Sequence, residues 1–271
     1  GTFAMLDAGS PERPTALFVP GFTGSKEDFI AILGPLAAAG WRVVAVDQRG
    51  QYESVGPLDD ETPYALTELA LDLRTMVRAL DAGPVDLVGH SFGGLVARRA
   101  VLDDPSMVAS FVLMDTGPGA IAGDIFHQVR AFQDLMRASG AAAVWAALKA
   151  LDEALGRQEP EDPEVRDFIA RRFHANSPAC LLAMAQALLV EDDRVEALGE
   201  LPLPMLVTYG SDEDRWPPPI QREMAERLGV ACAEIPSAGH SPAVDNPDRT
   251  VQVLVDFWTS VDSSVDVRVG S

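Results

Sequence analysis

The sequence predicts an α/β fold: a mostly parallel twisted sheet with helices on both faces, interrupted by one inserted α-helical block. Three observations lead there. Short apolar runs rich in β-branched residues alternate with segments of helical period along the first half of the chain. The alternation stops between residues 118 and 200, where only helical patterns occur, and resumes beyond them. Strands that are apolar throughout and separated by helices call for parallel pairing, right-handed crossovers and cover on both faces.

The elements follow in order. "PTALFVPG" (Pro14–Gly21) is a short apolar run ended by Pro-Gly, a strand followed by a turn. Phe29, Ile32, Leu33 and Leu36 then recur at helical spacing until Gly40. "RVVAVDQRG" is a second strand; Leu66, Leu69, Leu73, Met76, Val77 and Leu80 mark a helix closed by Gly83-Pro84. "VDLVGHS" is a third strand leading into a helix over Leu95–Leu102, and "ASFVLMDTG" is a fourth. In the inserted block, Ile121, Ile125, Val129, Phe132 and Met136 form one apolar stripe, and three further helical stretches follow it. Strands at "PMLVTYG" (Pro204–Gly210) and "VACAEIP" flank a helix from Pro218 to Leu228, and a last helix runs from Pro247 to Trp258. The tail, with alternating Val265, Val267 and Val269, is expected to be mobile or to pair as an edge strand. The organisation expected is a core of residues 1–117 and 201–271, with residues 118–200 inserted as a cap.

Composition narrows the function. Of 271 residues, 47% are hydrophobic and 23% charged, a globular balance. The net charge of −20 repels phosphate backbones and anionic lipid heads, so neither nucleic acid nor a membrane is expected as partner. No apolar run is long enough to span a bilayer, and the first residues show no signal-peptide pattern. Cys180 and Cys232 sit in apolar surroundings and read as buried free thiols, which fits a cytoplasmic location. A small molecule is the expected partner; oligomeric state is not legible.

Chemistry enters at "VDLVGHSFGGLVARRA", where Gly89-His90-Ser91-Phe92-Gly93 forms G-x-S-x-G between a strand and a helix. A tight strand-to-helix turn strains its central residue and lifts that side chain above the sheet edge. It also directs helix N-terminal amides at whatever the side chain attacks. Serine is a poor nucleophile near neutral pH and needs a base within hydrogen-bond reach, which needs an orienting acid. The chain has four histidines. His90 adjoins Ser91, while His127 and His174 belong to the inserted helices. His240, in "IPSAGHSPAVDNPD", follows the last strand on a loop at the catalytic edge of such sheets and is the expected base.

The chain resembles the α/β-hydrolase superfamily over almost its whole length. The matching stretches are "VPGFTGS", "VDQRG", "GHSFGG", "VTYGSDEDRWPP" and "AGHSPAVDNPD", in the family's order of serine, acid and histidine. The resemblance implies an acid in the loop after Pro204–Gly210, commonly as Gly-x-x-Asp with a proline four residues on. Counting from Gly210 selects Glu213, with Pro217 in step; counting back from "DRWPP" selects Asp214, with Pro218 in step. Asp214 is preferred for residue type and Glu213 is the alternative; Asp212 and Asp115 also stand in reach, since some relatives carry the acid where Asp115 lies. The resemblance further implies an oxyanion hole made by the backbone N–H groups of Phe22 and Phe92, whose side chains would wall the pocket; the apolar stripe of the inserted helices and Trp145 suggest that the substrate is apolar.

What the resemblance implies is a serine hydrolase that cleaves an acyl bond, such as a carboxylic ester, of a small and largely apolar substrate. It would work through an acyl-enzyme without metal or organic cofactor. Serine in the nucleophile slot argues against chemistries for which relatives use aspartate there. Two alternatives stand beside it: a cofactor-free cyclase, lyase or carbon–carbon bond hydrolase on the same scaffold, and a ligand-binding protein with an idle triad. Arg171 and Arg172 are expected as solvated helix arginines rather than contacts to a substrate carboxylate.

Overall fold

The computed structural model of the chain describes residues 1–156 and 160–269, with side chains through residue 263. In chain order the elements begin with β1 (Met5–Ala8), β2 (Thr15–Val19), α1 (Ile30–Ala38), β3 (Arg42–Val46), α2 (Leu66–Leu80) and β4 (Val85–His90). Then come α3 (Phe92–Asp103), β5 (Val108–Met114), α4 (Gly123–Ala154), α5 (Pro163–Ala175), α6 (Pro178–Val190) and α7 (Val195–Gly199). The chain continues through β6 (Met205–Gly210), α8 (Pro218–Leu228), β7 (Ala231–Ile235), α9 (Pro242–Asp245) and α10 (Pro247–Val269).

The seven strands form one sheet in the order β1-β3-β2-β4-β5-β6-β7. All neighbours are parallel except β1, which pairs antiparallel with β3. The parallel core of six strands matches the sequence expectation. The edge strand β1 was not expected from the sequence: "MLDA" is too short and too mixed to announce itself, and its register comes from β3, with Met5 opposite Val46. The tail also differs from expectation. It continues α10 to Val269 instead of pairing as a strand, and Gly270 and Ser271 lie outside the described residues.

The strand period sorts the core into two layers. In β2, Leu17 and Val19 face α2 and α3, while Ala16 and Phe18 face α1 and α10. On the second face Trp258 of α10, 1% exposed, packs its ring against Phe18 and Trp41. Because both sheet faces are covered, the inner strands β2, β4 and β6 are buried along their length, which is why they read as unbroken apolar runs.

Helices α4 to α7 occupy the connection between β5 and β6. α4 breaks at Gly140, whose φ of 77° no helix uses. Phe132, Met136, Val144, Phe173 and Leu181 bury a small apolar cluster of their own between α4, α5 and α6. Arg98 of α3, 1% exposed, stitches both ends of this connection: it donates to the carbonyls of Gly117 (3.2 Å) and Pro118 and pairs with Glu191. Ser177 at the start of α6 donates its N–H to Gly50 O (2.8 Å), and its hydroxyl to Pro57 O. No single described helix is long and apolar enough to cross a membrane.

The turn between β4 and α3 depends on small residues. A Cβ on Gly93 would lie 2.4 Å from Val19 O and 2.5 Å from Pro20 O, and one on Gly89 would lie 2.6 Å from Gly94 Cα. These neighbours are backbone and cannot rotate aside. Gly93→Ala is therefore expected to lower stability by about 1–3 kcal/mol, read from the urea midpoint. An unchanged midpoint would show that the turn has room for a methyl group.

Candidate active site

Three loops at the carboxyl ends of β4, β6 and β7 converge. Ser91 sits between β4 and α3 with φ 54° and ψ −124°, a conformation rarely held by a residue with a side chain. Its N–H donates to Met114 O at 2.9 Å, and its carbonyl accepts the Gly94 N–H at 2.9 Å, so the strained residue is pinned from both sides. His240 follows β7, and its Nε2 lies 2.8 Å from Ser91 Oγ. Its Nδ1 lies 2.5 Å from Glu213 Oε2. A carboxylate only accepts, so Nδ1 carries the proton and Nε2 presents its lone pair to the serine O–H.

The acidic residue beside His240 is Glu213, not the Asp214 preferred from the sequence. The Glu213 side chain is fully buried, and its Oε1 accepts the N–H groups of Arg215 and of Trp216 (2.9 Å). Asp214 is exposed and turned to the guanidinium of its neighbour Arg215. The tight turn that starts with the Glu213 N–H on Gly210 O (3.1 Å) puts position 213 inward and 214 outward. Asp212 is exposed, its N–H on Ala238 O at 2.9 Å. Asp115, at the end of β5, is buried against Glu213 without displacing it from His240.

Burial alone would raise the pKa of Glu213, but its hydrogen bond to His240, the attraction of that ring when protonated and two amide donors hold it below the ordinary glutamate value. Asp115 is pushed the other way: burial, then the Glu213 charge, raise it well above its ordinary value. Asp115, Glu213 and His240 each bring a potential ligand atom within 4.8 Å of the others. Two of these atoms, His240 Nδ1 and Glu213 Oε2, are already engaged with each other at 2.5 Å.

His90, next to the serine, has a distinct place. Its Nε2 lies 2.6 Å from the His240 carbonyl oxygen, which can only accept, so Nε2 carries the proton. Nδ1 is buried without a partner among the described residues. Burial, with the His240 ring beside it, lowers the His90 pKa to about 4. Its neutral imidazole braces the loop that carries His240.

The loop after β2 passes over Ser91, and a Cβ on Gly21 would lie 2.9 Å from Ser91 Cβ. Two glutamines missed by sequence reasoning support it: Gln48 donates to Pro20 O (2.9 Å) and Gln51 to Gly21 O (2.8 Å). Gln48 lies in "VDQRG", quoted above for the second strand and the family likeness, and Gln51 directly follows it. Lys26 anchors the same loop from below through Asp47, its N–H at 2.7 Å and its Nζ at 3.0 Å. Among the described residues, the N–H groups of Phe22 and Phe92 donate to no protein acceptor.

A cavity of about 300 Å³ opens beside Ser91 and His240. Phe22 lines it, with Ile121, Ile125, Val129, Phe132 and Leu188 from the α4–α6 side and Trp216 from the loop after β6. Two expected wall residues do not reach it. Phe92 is wholly buried in the core under α3, and Trp145 stacks one layer back on Phe173, ring centroids 5.1 Å apart. Trp216, in "DRWPP", is the aromatic the sequence reading overlooked. Arg172 is not a solvated arginine; it lines the cavity and pairs with Asp28, whereas Arg171 is exposed. His127 and His174 lie exposed on α4 and α5. Cys180 is buried as expected, with its thiol pKa pushed up by burial, but Cys232 on the edge strand β7 is exposed.

A parallel sheet with a G-x-S-x-G turn after its central strand, a histidine after its last and helices inserted after β5 is the layout of the α/β-hydrolase class. Residues 16–253 match the profile described as "Alpha/beta hydrolase family", and the chain belongs to that family and is an enzyme of the hydrolase class. It is 30% identical over 259 residues to "Putative carbamate hydrolase RutD" of Variovorax paradoxus, covering 93% of this chain and 94% of that protein. It is 28% identical over 233 residues to "Pimeloyl-[acyl-carrier protein] methyl ester esterase" of Photobacterium profundum, covering 82% and 86%. A thermophilic esterase from Thermogutta terrifontis, solved with malate bound, superposes with a TM-score of 0.79 at 25% identity, covering 96% and 93%.

Two outcomes follow from this geometry. Glu213→Gln should slow reaction of Ser91 with a fluorophosphonate by about 10³–10⁴-fold, while Asp214→Asn stays within about threefold. The reverse ranking would return the acid to Asp214. Stability should also respond to His90. The unfolded chain takes up this proton near the ordinary value of about 6.5, whereas the native state resists until about 4. Stability is thus fully present above that window and declines as pH falls through it. His90→Asn should flatten the decline in denaturant midpoint over the same range; an identical slope would exclude His90 as its source.

Proposed function

We propose that the protein is a serine hydrolase of acyl bonds, with Ser91 as nucleophile, His240 as general base and Glu213 as the orienting acid. The observation that carries this reading is the continuous hydrogen-bonded line from Ser91 Oγ to His240 (2.8 Å) and on to Glu213 (2.5 Å). His240 takes the serine proton as Oγ attacks the acyl carbon, and returns it to the leaving alcohol or amine as the tetrahedral intermediate collapses. Water then repeats the sequence on the acyl-enzyme. The unpartnered N–H groups of Phe22 and Phe92 would receive the developing oxyanion, each worth about 3 kcal/mol in the transition state. Gln48 and Gln51 fix the carbonyls of Pro20 and Gly21 and so the peptide plane that offers the Phe22 amide.

Residues 118–200 act as a cap on this reading, since their side chains close the cavity over Ser91. The largely aliphatic and aromatic wall favours a small carboxylic ester with an apolar acyl group. The esterase names among the relatives support the same choice. A cytoplasmic location is part of the same proposal, consistent with two free thiols.

A fluorophosphonate probe and a p-nitrophenyl ester series test the proposal together. The probe should label Ser91 alone, Ser91→Ala should abolish both labelling and turnover, and short and medium acyl esters should be cleaved. Failure to label would sink the nucleophile assignment. Labelling without ester turnover would favour the carbon–carbon bond or non-hydrolytic alternative.

A further inference from the structure

Asp115 takes no part in the chemistry above, yet its setting is unusual. It ends β5 with φ +44°, in the left-handed region, and is 0% exposed. Its Oδ1 accepts the Gly210 N–H at 2.9 Å. Its Oδ2 is buried and has no donor among the described residues. A carboxylate oxygen of Glu213 lies within 4.8 Å of one of Asp115. Two ionised carboxyls do not share such a site.

The surroundings decide which one keeps the proton. Glu213 has the Arg215 and Trp216 amides and His240 Nδ1 as donors, and all three favour its charged form. Asp115 has one amide and no basic partner. The other titratable groups nearby are Asp245 of α9, occupied by the Gly239 N–H at 2.9 Å, and His90 on the far side of His240. The Arg215 guanidinium is turned to Asp214. A carboxylate presents about four lone-pair positions, and three on Glu213 are filled.

Resting on the proposed triad, we propose that Asp115 is its positioning residue: as a neutral carboxylic acid it donates Oδ2–H to Glu213 and fixes the carboxylate that orients His240. A fourth donor spreads the Glu213 charge that faces His240 Nδ1, and losing it would concentrate that charge against the imidazole. No bond to substrate is involved, and the proton remains on Asp115 throughout.

The test compares the full chain with Asp115→Asn and Asp115→Ala by two measurements. Infrared difference spectra at neutral pH should show the carbonyl stretch of a protonated carboxylic acid in the wild type and not in Asp115→Asn. Fluorophosphonate labelling of Ser91 across pH gives the second readout. Asp115→Asn, which replaces O–H by N–H as donor, should rescue most of the labelling rate and keep the acid limb of the profile in place. Asp115→Ala should move that limb up by about one pH unit and slow labelling about tenfold. Absence of the infrared band overturns the proposal, as does an acid limb that falls by about a unit in Asp115→Asn, the mark of a removed negative charge. If Asp115→Ala fails to fold, the isosteric variant and the infrared band decide. If Ser91 labels in none of the proteins, the triad itself fails, whereas the infrared band still reports whether Asp115 holds a proton.

Discussion

The backbone at Ser91 is the constraint around which the site is organised. A residue with φ 54° and ψ −124° persists only where its neighbours leave no alternative. Here the strand β4 ends on one side of it, helix α3 begins on the other, and the Val19 and Pro20 carbonyls press on Gly93 from β2. That turn brings Ser91 Oγ out above the sheet edge within reach of His240. The first loop must then pass over Ser91 so closely that only a glycine fits at position 21. The supports of that loop, Gln48, Gln51 and Lys26, are consequences of the same close approach.

A chain of polar contacts then runs outward from the serine. His240 is held at its ring by Glu213 and at its carbonyl by the neutral imidazole of His90. Glu213 is held by two amides of its own turn, and the Asp115 carboxyl at the end of β5 lies within 4.8 Å of it. Each partner comes from the carboxyl end of a different strand. The parallel register of β4, β5, β6 and β7 therefore sets these distances, and a slip in any of those strands would be felt at the serine. The apolar side of the cavity has another origin: it is built by α4 and α6, which pack on their own cluster and are tied to the core through Arg98 and Ser177.

Local pattern made much of this visible in advance. Six of the seven strands, the helices between them and the inserted helical block all follow from period and from turn residues within a few positions. Ser91 was legible because its motif is a statement about one strand, one turn and one helix. His240 was legible because its loop follows the last strand. β1 was not, because four mixed residues acquire strand character only by pairing with β3. The tail was misread because alternating valines fit a strand, while its backbone extends the preceding helix.

Ser91, His240, the order of the elements and the sheet they form were determined by the sequence itself, since each depends on spacing along the chain. Which of Glu213 and Asp214 faces His240 was decided only in three dimensions. In a run of three acids, composition is silent about which side chain turns inward, and the turn anchored on Gly210 settles it. The same holds for Asp115 and Glu213, 98 positions apart in number but with carboxylate oxygens within 4.8 Å, and for Trp216 reaching the cavity where Phe92 and Trp145 do not. These are contacts between segments distant in sequence, and strand register and helix packing, rather than local propensity, determine which atoms meet.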